Sequence, residues 1–209
     1  MNKLYKYAIV LAIITVLYNI AEGLISVYFS YNDDSLALFG FGVDSFVEVI
    51  SGMGILHMVL RMRQNPVEKR DRFEKTALLI TGYSFYILSV GLLIGAVINI
   101  IYAKAPVTTI PGIVISLLSI LTMYFLMKAK LNVGKKLNSD AIIADANCTK
   151  TCLFLSIVLL VSSLLFELFG SLYFDVIGVI GIAYFSFTEG KEAIEKVKTN
   201  NIKCSCGHD

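Results

Sequence analysis

Residues 76–103 and 105–127 contain no Asp, Glu, Lys or Arg. No other feature narrows the fold as much. An α-helix rises about 1.5 Å per residue, so about 20 apolar residues cross a hydrocarbon core of about 30 Å. Both runs are long enough to do so. Composition agrees: 56% of the residues are hydrophobic and the mean hydropathy is +0.74, whereas a soluble domain carries roughly 45–50% apolar residues. The expected fold is all-α, a polytopic membrane protein with six transmembrane helices near residues 7–29, 35–60, 77–103, 108–127, 141–165 and 171–188. Residues 1–188 read as the transmembrane domain and 189–209 as a cytoplasmic tail with a Cys/His end. The prolines at 66, 106 and 111 fall in connections, where the missing N–H breaks no helix. The first apolar segment is too long for a signal-peptide core and lacks a small-residue cleavage site.

Basic residues set the orientation. Lys3 and Lys6 precede the first span, and Arg61, Arg63, Lys69, Arg70, Arg72 and Lys75 cluster between the second and third. Lys128, Lys130, Lys135 and Lys136 lie between the fourth and fifth, while Lys191, Lys196, Lys198 and Lys203 follow the sixth. The other side has only Lys104. Both termini are therefore expected in the cytoplasm, for a multi-pass protein of the cell (plasma) membrane. The net charge of +2 is this asymmetry, and it points to a lipid surroundings rather than to nucleic acid.

Against this apolar background two pairs of residues stand out. Asp44 and Glu48 are one helical turn apart in the second span, and Cys148 and Cys152 are one turn apart in the fifth. A carboxylate near the bilayer centre costs about 2.5–3.5 kcal/mol on insertion scales and generally marks a functional site. Asp44 lies ten residues beyond Asp34, and Cys152 twelve beyond Asp140 on a span running the other way. Those spacings put Asp44 about 15 Å from the outer side and Cys152 about 18 Å from the cytoplasmic side. Asp44 is then level with Cys152, and Glu48 with Cys148. Two carboxylates and two thiols converging at one depth supply the coordination number and donor atoms zinc accepts. The alternative for the acids is hydrogen bonding that fixes helix packing. For the cysteines it is service as small apolar filler. Paired cysteines on the cytoplasmic side read better as metal ligands than as disulfides.

Three stretches resemble the cation diffusion facilitator family of metal/proton antiporters. "SLALFGFGVDSFVEVISG" (35–52) resembles the family's second-span signature, and "SDAIIADANCTKTC" (139–152) is similar to its fifth-span motif, with ligands four residues apart. "YFDVIGVIGIAYFSFTEGKEA" (173–193) looks like its sixth span, which begins through an Asp. The resemblance implies a six-span metal transporter with Asp44 and Glu48 as the second-span ligand pair and Cys148 and Cys152 as the fifth-span pair. The family usually presents Asp or His there, so thiolates are a departure. Its cytoplasmic dimerisation domain has no counterpart in these residues, which places the resemblance with the short subset of the family.

The ligand chemistry points the same way. Carboxylate with thiolate is a softer donor set than carboxylate with imidazole, so it suits Zn²⁺ or Cd²⁺ and disfavours Mg²⁺ and Ca²⁺. Four ionised ligands around one divalent cation leave an excess of negative charge in a low-dielectric site. Protons are expected to neutralise the ligands and to leave when metal binds, which is the minimal chemistry of exchange. The expectation is a secondary transporter exporting a divalent cation from the cytoplasm for protons. No cofactor is required, since the metal is the substrate. No phosphate loop or catalytic constellation supports an enzyme. The rival is a membrane metal-binding protein that buffers or senses the ion without turnover.

Other polar residues carry weaker signals. Asn19 and Glu22 share a face of the first span, as a proton pathway or as packing hydrogen bonds. Asp145, three residues before Cys148, is expected either to support the cysteine ligand or to sit at the interface. Lys150 points away from the cysteines, and His57 lies off the face of Asp44. "GLLIG", Gly91 to Gly95, has the spacing of a close helix contact and suggests a homodimer face. Cys204, Cys206 and His208, beside Asp209, are expected to capture cytosolic metal, the alternative being a disordered tail with incidental cysteines.

Overall fold

The computed structural model describes residues 2–64 and 72–198. Six helices make up these residues: α1 (Asn2–Asp33), α2 (Leu36–Gln64), α3 (Arg72–Ile101), α4 (Ile110–Leu137), α5 (Asp140–Phe169) and α6 (Leu172–Lys198). Each contains a span long and apolar enough to cross a membrane, so the chain is an integral, multi-pass membrane protein. The short connections at 34–35, 102–109 and 170–171 gather at one end of the bundle, called here the Ser35 end. The other, the Lys196 end, carries the 138–139 connection and the last turns of α2 and α6. Helix α6 continues ten residues past 188, where the tail was expected to start.

The outside of the bundle is apolar, and its apolar core is interrupted by a set of buried polar residues. Ile87, Val90 and Ile94 of α3 and Leu117, Leu121 and Phe125 of α4 are exposed, as lipid-facing side chains must be. Asn19, Glu22, Ser26, Asp44, Ser45, Ser119 and Ser156 are buried. Helix α2 is central, touching α1, α3, α5 and α6, while the most extensive pairings are α1 with α2, α4 with α5, and α3 with α6. Small residues let these backbones approach. A Cβ on Gly190 would lie 2.9 Å from the carbonyl oxygen of Gly82, and one on Gly82 would lie 3.1 Å from that of Gly190. Glycine is required at this α3–α6 crossing.

Two acids that interrupt the fifth and sixth spans are explained by the helix starts they face. Glu167, at the end of α5, accepts hydrogen bonds from the Thr109 backbone N–H and the Thr108 hydroxyl, ahead of α4. Asp175 of α6 accepts from the Ser35 hydroxyl at 2.8 Å, immediately before Leu36 and Ala37, the first residues of α2. Helix N-termini carry unpaired donors and partial positive charge, so a carboxylate is stabilised there. Helices α4 and α5 end on Asn138 and Gly170 in the left-handed conformation, at φ of 48° and 61°.

The expected Gly91–Gly95 face is split. A Cβ on Gly95 would press within 2.9 Å of Leu36 of α2, whereas nothing lies near Gly91. Gly95 therefore serves packing within the chain.

Candidate functional site

Glu48 and Cys152 meet in the middle of the bundle. The Cys152 thiol donates to Glu48 Oε1, and Asn19 Nδ2 of α1 donates to Glu48 Oε2 at 2.9 Å. Three helices thus converge on one carboxylate. Asp44, one turn along the same face of α2, takes another partner: its Oδ1 accepts from the Ser186 hydroxyl of α6 at 2.9 Å. Cys148 lies 3.6 Å from the Lys196 ammonium of α6. Among the described residues, no three His, Cys, Asp or Glu side chains form a ready-made metal cluster. The four expected ligands therefore share a neighbourhood, with Glu48 and Cys152 in direct contact and Asp44 and Cys148 each bound to α6.

The pairing is shifted by about one turn from the depth count, which set Glu48 against Cys148. That count ran along the sequence alone and did not fix how α2 and α5 slide against each other; in the folded chain Cys152, not Cys148, comes level with Glu48.

A cavity of about 60 Å³ lies beside this contact, on the Lys196 side. Glu48, Cys148 and Cys152 line it, together with Asn19, Asp145 and Glu189. One water needs about 10–15 Å³ measured this way, so a few waters or a partly hydrated ion fit. Two cations border the same space, Lys130 and Lys196. Lys130 of α4 is 2% exposed, and its ammonium lies 3.0 Å from Asp145 Oδ2 and 3.0 Å from the Thr149 hydroxyl. Lys196 pairs with Glu192 at 2.8 Å.

Of the weaker candidates, Asn19 touches Glu48 directly. Glu22 lies in a separate network, accepting from the Ser45 hydroxyl at 3.1 Å. Asp145 is held by Lys130. Lys150 faces outward with its ammonium 5.7 Å from the Phe154 ring centre, and His57 packs on Phe73 with ring centres 4.8 Å apart. Cys204, Cys206 and His208 lie outside the described residues. Neither Cys148 nor Cys152 is in a disulfide.

Sequence reasoning missed Glu189, Lys130 and Lys196 as interior groups, counting both lysines among connections and ending the sixth span one residue before Glu189. A signal existed. Ser186, Glu189 and Lys196 follow Asp175 at spacings of 11, 14 and 21 residues, multiples close to the helical repeat. They form one polar stripe once α6 is allowed to run to Lys198.

The fold and this interior define a class: a six-helix membrane protein with a buried chamber of carboxylates, thiols and ammonium groups. More specifically, the chain belongs to the cation efflux family, whose transmembrane domain it matches over residues 8–197. It is 31% identical over 176 residues to an uncharacterized transporter of Methanocaldococcus jannaschii. The match covers 82% of this chain and 62% of that protein, so the chain spans less than two thirds of its relative's length.

Proposed function

We propose that this chain is a secondary transporter that moves a divalent, borderline-to-soft cation such as Zn²⁺ or Cd²⁺ from the cytoplasm in exchange for protons. Glu48, Cys152, Asp44 and Cys148 are its ligands. The observation that carries this reading is the Glu48–Cys152 contact across α2 and α5 at the wall of a polar cavity. A carboxylate and a thiol in mutual reach form a mixed oxygen–sulfur donor pair, and such a pair selects against hard cations. The thiol proton that bridges them must leave when a metal replaces it, which couples binding to proton release. Asp44 and Cys148, each about one turn from the contact, join by exchanging the Ser186 hydroxyl and the Lys196 ammonium for the ion. Asn19 orients Glu48. Family membership supports cation transport as the activity.

The distribution of Lys and Arg supports the Lys196 end as cytoplasmic, so the cavity faces the compartment from which the ion is taken, across the plasma membrane. The test is flux of Zn²⁺ or Cd²⁺ in proteoliposomes under a pH gradient. Cation movement that collapses with the gradient is expected, and its loss in Glu48→Gln. Stoichiometric binding with no flux under any gradient would make the protein a buffer or sensor instead.

A further inference from the structure

The cation that the structure does hold at a proposed ligand is the chain's own. Lys196 enters the bundle from α6 with 6% of its surface exposed, and its ammonium reaches the Cys148 sulfur at 3.6 Å while pairing with Glu192 at 2.8 Å. Glu189, two turns back on the same stripe, lines the same cavity and interacts electrostatically with this ammonium. An ammonium is a compact point charge on a flexible stem of four carbons, well suited to moving between neighbouring acceptors. Lys196 thus has two kinds of partner within reach of one side chain. Cys148, on α5, belongs to the proposed ion site. Glu192, on its own helix, does not.

We propose that Lys196 is a tethered counter-ion of the site: its ammonium takes the place at Cys148 that an incoming divalent cation must occupy, and withdraws onto Glu192 and Glu189 when the cation binds. The inference rests on Cys148 being a ligand, as in the function proposed above. Its physical content is competition. While no ion is bound, Lys196 offsets the negative charge collected by Glu48 and Glu189 in a medium where uncompensated charge is costly. When the ion arrives, the two positive charges repel at close range, and the flexible one moves. The same competition works in reverse, since the returning ammonium helps expel the ion. Lys196 is therefore a positioning residue that lowers affinity and speeds release.

A merely structural lysine would behave differently. In Lys196→Met, which keeps the apolar stem and removes the charge, Cd²⁺ binding is expected to tighten on the order of tenfold, the scale of one lost charge-assisted hydrogen bond. Transport should show the matching split, a lower KM with a lower maximal rate. Lys196→Arg, which keeps the charge, should stay close to the wild type. Glu192→Gln removes the alternative partner, leaves the ammonium on Cys148, and should weaken Cd²⁺ binding. Binding is read on the full-length protein in detergent with Cd²⁺ alone, from the sulfur-to-cadmium charge-transfer band in the ultraviolet. Opposite shifts in Lys196→Met and Glu192→Gln support the proposal, because damage to the fold would weaken both. Unchanged or weaker binding in Lys196→Met, with the band intact in wild type, would overturn it while leaving the ligand set standing. A band absent from the wild-type protein at every Cd²⁺ concentration would remove the thiolate ligands and this inference with them.

Discussion

The Lys130–Asp145 pair offers a quantitative test, because Asp145 has two possible roles that predict different energies. Lys130 is 2% exposed and Asp145 14%; the ammonium lies 3.0 and 3.1 Å from the two carboxylate oxygens and 3.0 Å from the Thr149 hydroxyl. Replacing Lys130 by Met keeps the apolar stem but strands a carboxylate among α4 and α5. Breaking a buried pair from one side typically costs about 3–5 kcal/mol. Asp145 borders the cavity, so water reaches part of its charge and lowers the cost to the bottom of that range or just below it, about 2–3 kcal/mol. For a chain of this size that is a fall in melting temperature of roughly 4–12 °C. Asp145→Leu should cost a similar amount by stranding Lys130. The double variant Lys130→Met with Asp145→Leu should recover most of the loss, since apolar replacement of both partners is often neutral. The assay is thermal unfolding of the four proteins in one detergent, read as a double-mutant cycle. Additive losses, or single variants within about 0.5 kcal/mol of wild type, would refute the argument that this pair locks α4 to α5. Asp145 would then be free to act on the cysteines.

Three further outcomes follow from the same geometry. Cys148→Ser with Cys152→Ser should weaken Cd²⁺ handling more than Zn²⁺, because a hydroxyl poorly replaces a soft thiolate; competition binding with both ions measures the difference, and equal losses would remove the cysteines from selectivity. Cation affinity should fall as pH falls from 8 to 6 as protons compete for the ligands, and calorimetry in buffers of different ionisation enthalpy should count at least one proton released per ion. A binding enthalpy that ignores the buffer would argue against exchange at this site. Gly190→Val should force α3 and α6 apart at Gly82 and destabilise the fold by about 1–3 kcal/mol, whereas Gly91→Val, with open space around it, should leave the melting temperature unchanged.

Spans, their number and the presence of buried acids and thiols were all legible in the sequence, because each depends on local chemistry. An uncharged run of sufficient length has to become a helix in lipid, and i, i+4 spacing puts Asp44 with Glu48, and Cys148 with Cys152, on common faces whatever the surroundings. Which residue meets which across helices was decided by tertiary structure. Glu48 pairs with Cys152 rather than Cys148 because of how α2 and α5 slide against each other, an offset of about one turn that hydropathy cannot register. Lys130 and Lys196 read as loop charges in one dimension, yet their apolar stems let them lie within the bundle once Asp145, Glu192 and Cys148 are brought close enough to hold the ammonium groups. Asp175 and Glu167 looked like interruptions of their spans until folding delivered the unpaired N-termini of α2 and α4 to them. A charge's place in a membrane protein depends on the partner it finds, and partners far apart in the chain are brought together only by helix packing.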